Sequence, residues 1–250
     1  MTPAAQPLVL LHGWGLSSGV WAPLLAELGP TVNAIAVDLP GHGGAAPAGD
    51  TLASWADALA PRLPDGAVLV GWSLGAQLAL HLAAHAPHKV SRLVLIAATP
   101  RFVQAPDWPA ALPEATLAGF RGDFDTTPDA TQRRFTALQA MGDGRRREVI
   151  AALNAALTPA DAAHHPALAT GLRLLADTDL RPRLADVRQP VRLLHGAEDR
   201  LMPVAAAEWL ADALPDARLS VFKDCGHAPQ LSRPADCATL IRAFAAEATR

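Results

Sequence analysis

A chain of 250 residues, half of them apolar and 18% charged, suits one full-sized domain with room for a sizeable insertion, and excludes disorder. Its formal net charge of −3 gives no reason to expect nucleic acid as a partner. Two cysteines, Cys225 and Cys237, are too few for a disulfide framework and read as small buried apolar residues in a reducing compartment.

Residues 1–7 carry no lysine or arginine ahead of the apolar run 8–11, and that run is far too short for a leader or a membrane span. Later apolar stretches are interrupted by His81, His85 or Arg92. The expectation is a cytoplasmic protein without membrane attachment, and a monomer. Short apolar runs then alternate with helix-period segments, the pattern of a parallel sheet covered by helices on both faces. Strands are predicted at 8–12, 32–38, 67–71, 90–97, 191–195 and 218–222, and helices at 20–28, 52–63, 74–85, 204–214 and 234–246. Ser232-Arg233-Pro234 reads as the start of the last helix, a cap-like serine with a proline near the first turn. Between 99 and 187 the alternation fails, and amphipathic stretches such as 128–141 and 145–157 are punctuated by prolines. This predicts a helical lid, 99–187, inserted into a core made of 1–98 and 188–250.

Gly71-Trp72-Ser73-Leu74-Gly75 follows one predicted strand and opens the helix at 74–85. A sharp strand-to-helix turn flanked by small residues lifts a serine clear of the sheet, and the helix N-terminus adds partial positive charge where an oxyanion would form. A serine in an ordinary glycine turn would not need that whole context. Ser73 is the candidate nucleophile. Of nine histidines, His227 in Gly226-His227-Ala228-Pro229 has a base's position, in a loop after the last strand. His81 and His85 lie one turn apart like a metal pair but lack a neighbouring carboxylate. His164 and His165 read as solvated, and His12 and His195 as structural strand ends. Asp199 lies just beyond a strand, and the order Ser73, Asp199, His227 is the one expected of an α/β-hydrolase fold. Glu198 is adjacent but less well spaced, Asp38 precedes the serine, and Asp224 is too close to His227. His12-Gly13-Trp14-Gly15 follows the first strand, so the Trp14 and Leu74 N–H groups are the candidate oxyanion donors. This chemistry calls for no metal and no cofactor.

With these motifs assembled, the chain resembles the pimeloyl-acyl-carrier-protein methyl ester esterase family of biotin synthesis over nearly its whole length. The similarity is densest in Leu10-Leu11-His12-Gly13-Trp14-Gly15-Leu16, Val37-Asp38-Leu39-Pro40-Gly41, Gly71-Trp72-Ser73-Leu74-Gly75, Asp107-Trp108-Pro109, Phe135-Thr136-Ala137-Leu138-Gln139-Ala140-Met141-Gly142 and Gly226-His227-Ala228-Pro229. The resemblance implies a carboxylesterase acting on the methyl ester of a pimeloyl chain held on acyl carrier protein. It also implies substrate contacts from Trp14, Ser73, Leu74, Phe135, Thr136, Ala137, Leu138, Gln139 and His227. The residues themselves allow an apolar slot lined by Trp14, Trp72, Phe135 and Leu138, with plain lid packing an equal account of the last two. Arg133, Arg134, Arg145, Arg146 and Arg147 read either as a solvated helix face or as a docking patch for the acidic carrier. Few residues precede the first strand, so an N-terminal hairpin is expected to be shortened or absent. Ala76 stands where a glycine is usual. A general short-chain esterase or lactonase, and a non-catalytic ligand-binding relative, remain alternatives.

Overall fold

Strands that are apolar at nearly every position need cover on both faces, and the computed structural model, which describes residues 6–247, is built that way. Expectations about residues 1–5 lie outside the described residues. Six strands, β1 (Leu8–Leu11), β2 (Ala34–Val37), β3 (Ala67–Trp72), β4 (Val90–Ile96), β5 (Val191–Gly196) and β6 (Ala217–Phe222), form one sheet in the order β2-β1-β3-β4-β5-β6. Every neighbouring pair is parallel. This is the predicted α/β-hydrolase architecture.

Side chains alternate across a strand, so each strand serves two cores. Leu10, Val70, Trp72 and Val94 face one side, where Leu24 of α1 (Ala22–Leu28) and Ile241 and Phe244 of α10 (Pro234–Ala245) pack. Val9, Leu11, Leu69 and Leu93 face the other, against α2 (Leu52–Leu59), α3 (Leu74–His85) and α8 (Val204–Ala213). The edge strands β2 and β6 are only half covered, and Ile35 and Val221 are exposed there.

Prolines set several boundaries. The helix expected at 52–63 ends at Leu59 and continues as a 3-10 turn, Ala60–Arg62, because Pro61 has no N–H to carry an α-helix through. Its start is closed by a Thr51–Ser54 capping box, a cap of a kind that contributes about 1 kcal/mol. α10 begins at Pro234 as predicted, but Ser232 does not cap it. Ser232 ends the short helix α9 (Pro229–Ser232), and its hydroxyl donates to Asp143 Oδ1 at 2.8 Å.

Between β4 and β5 run α4 (Glu114–Phe124), α5 (Pro128–Gln139), α6 (Arg146–Ala155) and α7 (His165–Asp177). α5 and α6 fall within the predicted stretches. α4 and α7 have no counterpart among the predicted stretches, since Gly119, Gly122 and Gly171 dilute the helical signal. The four helices sit over the carboxyl ends of the strands. Leu16 pairs antiparallel with Leu157, and Thr158 N–H donates to Gly15 O at 2.9 Å. Among the described residues, no helix is long and apolar enough to cross a membrane.

Candidate active site

Ser73 stands alone between β3 and α3 with φ 55° and ψ −116°, a conformation an L-residue adopts only when its surroundings impose it. The turn is held from both sides. Ser73 N–H donates to Ile96 O at 3.1 Å, and Ser73 O accepts from Ala76 at 2.9 Å. A Cβ on Gly75 would strike the carbonyls of Leu11 and His12, and one on Gly71 would stand 2.5 Å from Gly75 O. The elbow can close only with glycine at both places. Ala76 lies buried within α3, where its methyl is accommodated.

His227 sits in the loop between β6 and α9, and Asp199 follows β5. Their side chains meet at 2.7 Å, Nδ1 to Oδ2, and both are buried. An ionised carboxylate only accepts, so the imidazole carries its proton on Nδ1. Asp199 Oδ1 accepts from the N–H groups of Leu201 (2.9 Å) and Met202 (2.8 Å), which locks the carboxylate's orientation. His227 Nε2 is left as a buried lone pair with no partner among the described residues. Ser73 Oγ does not hydrogen-bond to it here; the two residues are linked through Trp72. The Trp72 Nε1–H donates to His227 O at 2.8 Å, and the Trp72 and His227 rings stand 6.0 Å apart.

The other acidic candidates are engaged elsewhere. Glu198 pairs with Arg200 at 3.2 Å. Asp38 accepts from the Ser18 and Gly44 N–H groups. Asp224 lies at φ 53° and offers its backbone carbonyl to Gly144 N–H. His195 is kept neutral by burial, which lowers its pKa, and its Nε2–H donates to Met202 O at 2.9 Å. Burial, and next the Asp143 charge, push the Cys225 thiol up to about 12, so it is no thiolate at neutral pH. His81 and His85 stack on each other at 4.0 Å. No group of three metal-binding side chains comes together among the described residues.

The Trp14 and Leu74 N–H groups donate to no protein acceptor among the described residues. His12, expected only to end a strand, has a more specific part. Burial lowers its pKa to about 4, so it is neutral, with one donor and one acceptor. Its Nδ1–H donates to Gly13 O (2.8 Å), and its Nε2 accepts from Leu39 N–H (3.0 Å). Gly13 C=O and Trp14 N–H belong to one planar trans peptide and point opposite ways. Pinning the carbonyl therefore aims the N–H.

Above this loop Trp14 meets the helical layer. Its indole N–H donates to Leu168 O at 2.7 Å, and its ring lies edge-on to Phe124 (5.7 Å) and Phe135 (4.9 Å). Phe135 is buried between Trp14 and Phe120. Thr136 is turned toward α6, its hydroxyl near Arg133 O and Asn154 Oδ1. Ala137 and Leu138 are half-buried. Gln139 is buried; its backbone carbonyl accepts His227 N–H at 3.0 Å, and its side-chain Oε1 has no partner among the described residues.

Two expectations change. Trp72 does not share a slot with Trp14 and Phe135: strand alternation sends it to the opposite face of the sheet, among Leu10, Val70 and Trp21. His164 is not simply solvated, because its ring bridges Asp161 and the Gly43 carbonyl, while His165 stacks on Phe124 at 4.8 Å. Apart from the Asp161–His164 pair, which is three residues apart, these contacts join residues far apart in the chain and leave no local pattern to read.

A model of the alpha/beta hydrolase family matches residues 8–240. The chain is 58% identical over 239 residues to the pimeloyl-acyl-carrier-protein methyl ester esterase of Aromatoleum aromaticum, covering 94% of this chain and 96% of that one. It is 41% identical to the enzyme of the same name from Nitrosomonas europaea, covering 91% and 90%. Among solved structures it is similar to an esterase from Exiguobacterium antarcticum, with TM-score 0.82, 23% identity and coverage of 97% and 92%. That likeness speaks for the fold alone. The chain belongs to the alpha/beta hydrolase family and, within it, to the pimeloyl-acyl-carrier-protein methyl ester esterase family.

Proposed function

We propose that this protein is a serine carboxylesterase that hydrolyses the methyl ester of pimeloyl-acyl carrier protein in biotin synthesis. The buried Asp199–His227 contact carries the reaction: it fixes the imidazole and leaves Nε2 as the free base. Ser73 Oγ attacks the ester carbonyl as Nε2 takes its proton, and Asp199 stabilises the resulting imidazolium. The Trp14 and Leu74 N–H groups bind the tetrahedral oxyanion. His227 then returns the proton to the leaving methoxide, methanol departs, and water repeats the sequence on the acyl-enzyme. The substrate assignment rests on the relatives, whose names specify that ester.

In this reading 1–98 and 188–250 form the core, and 99–187 a lid whose α5 offers Phe135 to Gln139 to the acyl chain. Ser73 is 6% exposed, so the ester enters as the lid helices part from the core. The buried free cysteines accord with a cytoplasmic enzyme, which we take to act as a monomer.

Carrier docking is assigned to Arg133, Arg134, Arg145, Arg146 and Arg147, all of them exposed. Arg134 pairs with Asp123 at 2.7 Å, but both side chains are half in water. Such a pair is worth at most about 1 kcal/mol and can be exchanged for a partner's carboxylate. Met141, 44% exposed at the corner joining α5 to α6, adds an apolar contact beside the basic residues.

The test is methanol release from the carrier-bound methyl ester, together with rescue of a biotin-requiring strain lacking its own esterase. Both are expected. Turnover of p-nitrophenyl butyrate without either would leave a general esterase or lactonase, and no turnover at all a binding protein. Changing Arg146 and Arg147 together to glutamate, with Arg145 kept because its side chain donates to Ser232 O at 3.3 Å beside Asp143, should raise KM for the carrier-bound ester about tenfold and flatten its salt dependence. Turnover of p-nitrophenyl butyrate should stay at the wild-type level. Equal effects on both substrates would return these arginines to the solvated surface.

A further inference from the structure

Asp143, at the corner between α5 and α6, is 7% exposed and pairs with no cation among the described residues. A buried carboxylate is tolerated only when hydrogen bonds replace its water. Three donors converge on it. Oδ1 accepts from Arg145 N–H (2.7 Å) and Ser232 O–H (2.8 Å), and Oδ2 accepts from Gly226 N–H (2.8 Å). A local turn opening α6 would account for the Arg145 bond. It would require neither the burial nor a bond to a residue 83 positions away.

Gly226 immediately precedes His227. The same corner also accepts His227 N–H at Gln139 O (3.0 Å) and donates from Gly144 N–H to Asp224 O (3.0 Å). From the other side, Trp72 holds His227 O. The backbone on which the imidazole is mounted is thus gripped between α5–α6 and β3, and Asp143 supplies a charged anchor. We infer that Asp143 is a positioning residue for the catalytic base, holding the Cys225–Gly226 peptide that leads into His227 so that His227 Nε2 is presented toward Ser73. This rests on the reading of His227 as the base. Displacement of a catalytic group by about 1 Å can cost roughly 10²-fold in rate.

Asp143→Asn is the near-isosteric test. An amide has one acceptor oxygen, and two donors, Arg145 N–H and Ser232 O–H, claim one side of it. The NH2 then faces Gly226 N–H, donor against donor, and the anchor is lost. On p-nitrophenyl butyrate, kcat should fall 10- to 100-fold while KM stays within about threefold. Thr51→Ala, which removes the α2 cap far from the site, is the stability control. It should lower Tm by roughly 2–4 °C with kcat unchanged, and a merely structural Asp143 would behave like it. Asp143→Ser, whose smaller side chain leaves room for water to take up the Arg145 and Ser232 donors, carries the same expectation as Asp143→Asn. A folded Asp143→Asn or Asp143→Ser enzyme with kcat within threefold of wild type overturns the assignment. So does failure of both to fold, which would make Asp143 part of the scaffold. If Ser73→Ala is inactive in the same assay, the reading of the site stands whichever way Asp143 falls.

Discussion

Ser73→Ala should lower turnover of p-nitrophenyl butyrate by roughly 10⁴-fold or more, leaving only what binding and the oxyanion donors supply. Cys225 cannot take the serine's place. Cys225, two positions before His227, is held as a thiol, pushed up to about 12 by burial and then by the Asp143 charge. Stability should hardly change, because Ser73 Oγ makes no hydrogen bond among the described residues and its loss strands no partner there. The turn itself depends on backbone contacts of Ser73 and on Gly71 and Gly75, which the substitution keeps. The check is kcat per folded molecule, with folding followed by thermal melting. Activity within tenfold of wild type would sink the nucleophile assignment.

Asp199→Asn should cost roughly 10³- to 10⁴-fold in kcat through a wrong tautomer rather than a lost shape. Two backbone donors, Leu201 N–H and Met202 N–H, converge on Oδ1, so the asparagine places its single oxygen there. Its NH2 then points at His227 Nδ1, where the carboxylate oxygen stood at 2.7 Å. Facing a donor, Nδ1 must give up its proton, and the proton moves to Nε2. The base is then already protonated on the nitrogen that should receive the Ser73 proton. Glu198→Gln, at a side chain turned toward Arg200, should leave kcat within about threefold. Reversed magnitudes for the two variants would transfer the acid's role to Glu198.

Much of the candidate site was legible because its parts are local. The elbow that carries the proposed nucleophile is written in five consecutive residues: glycine is required where Gly75 passes the Leu11 and His12 carbonyls, and where Gly71 passes Gly75 O. The strands could be placed to within about two residues because an apolar run flanked by helices has few other uses in a parallel sheet. Helices α4 and α7 were harder. Gly171 weakens α7 as a local pattern, yet a Cβ there would stand 2.6 Å from the Trp14 indole. A packing requirement hid the helix that satisfies it.

By itself the sequence determined the α/β-hydrolase fold, the alternation of strand and helix, and the identities of Ser73, Asp199 and His227 as candidates, since each stands in a short segment with its own spacing and order. The tertiary structure decided what those residues face. It placed Trp72 behind His227 instead of beside Trp14, made His12 the clamp on the Gly13 carbonyl, and turned Ser232 from a cap into a partner of Asp143. It also joined the α5–α6 corner to the histidine loop across 83 positions. The physical reason is the range of the forces concerned. Backbone sterics and side-chain periodicity act within a few residues and are written in the local string, whereas a hydrogen bond between distant segments exists only once hydrophobic burial has brought their backbones together.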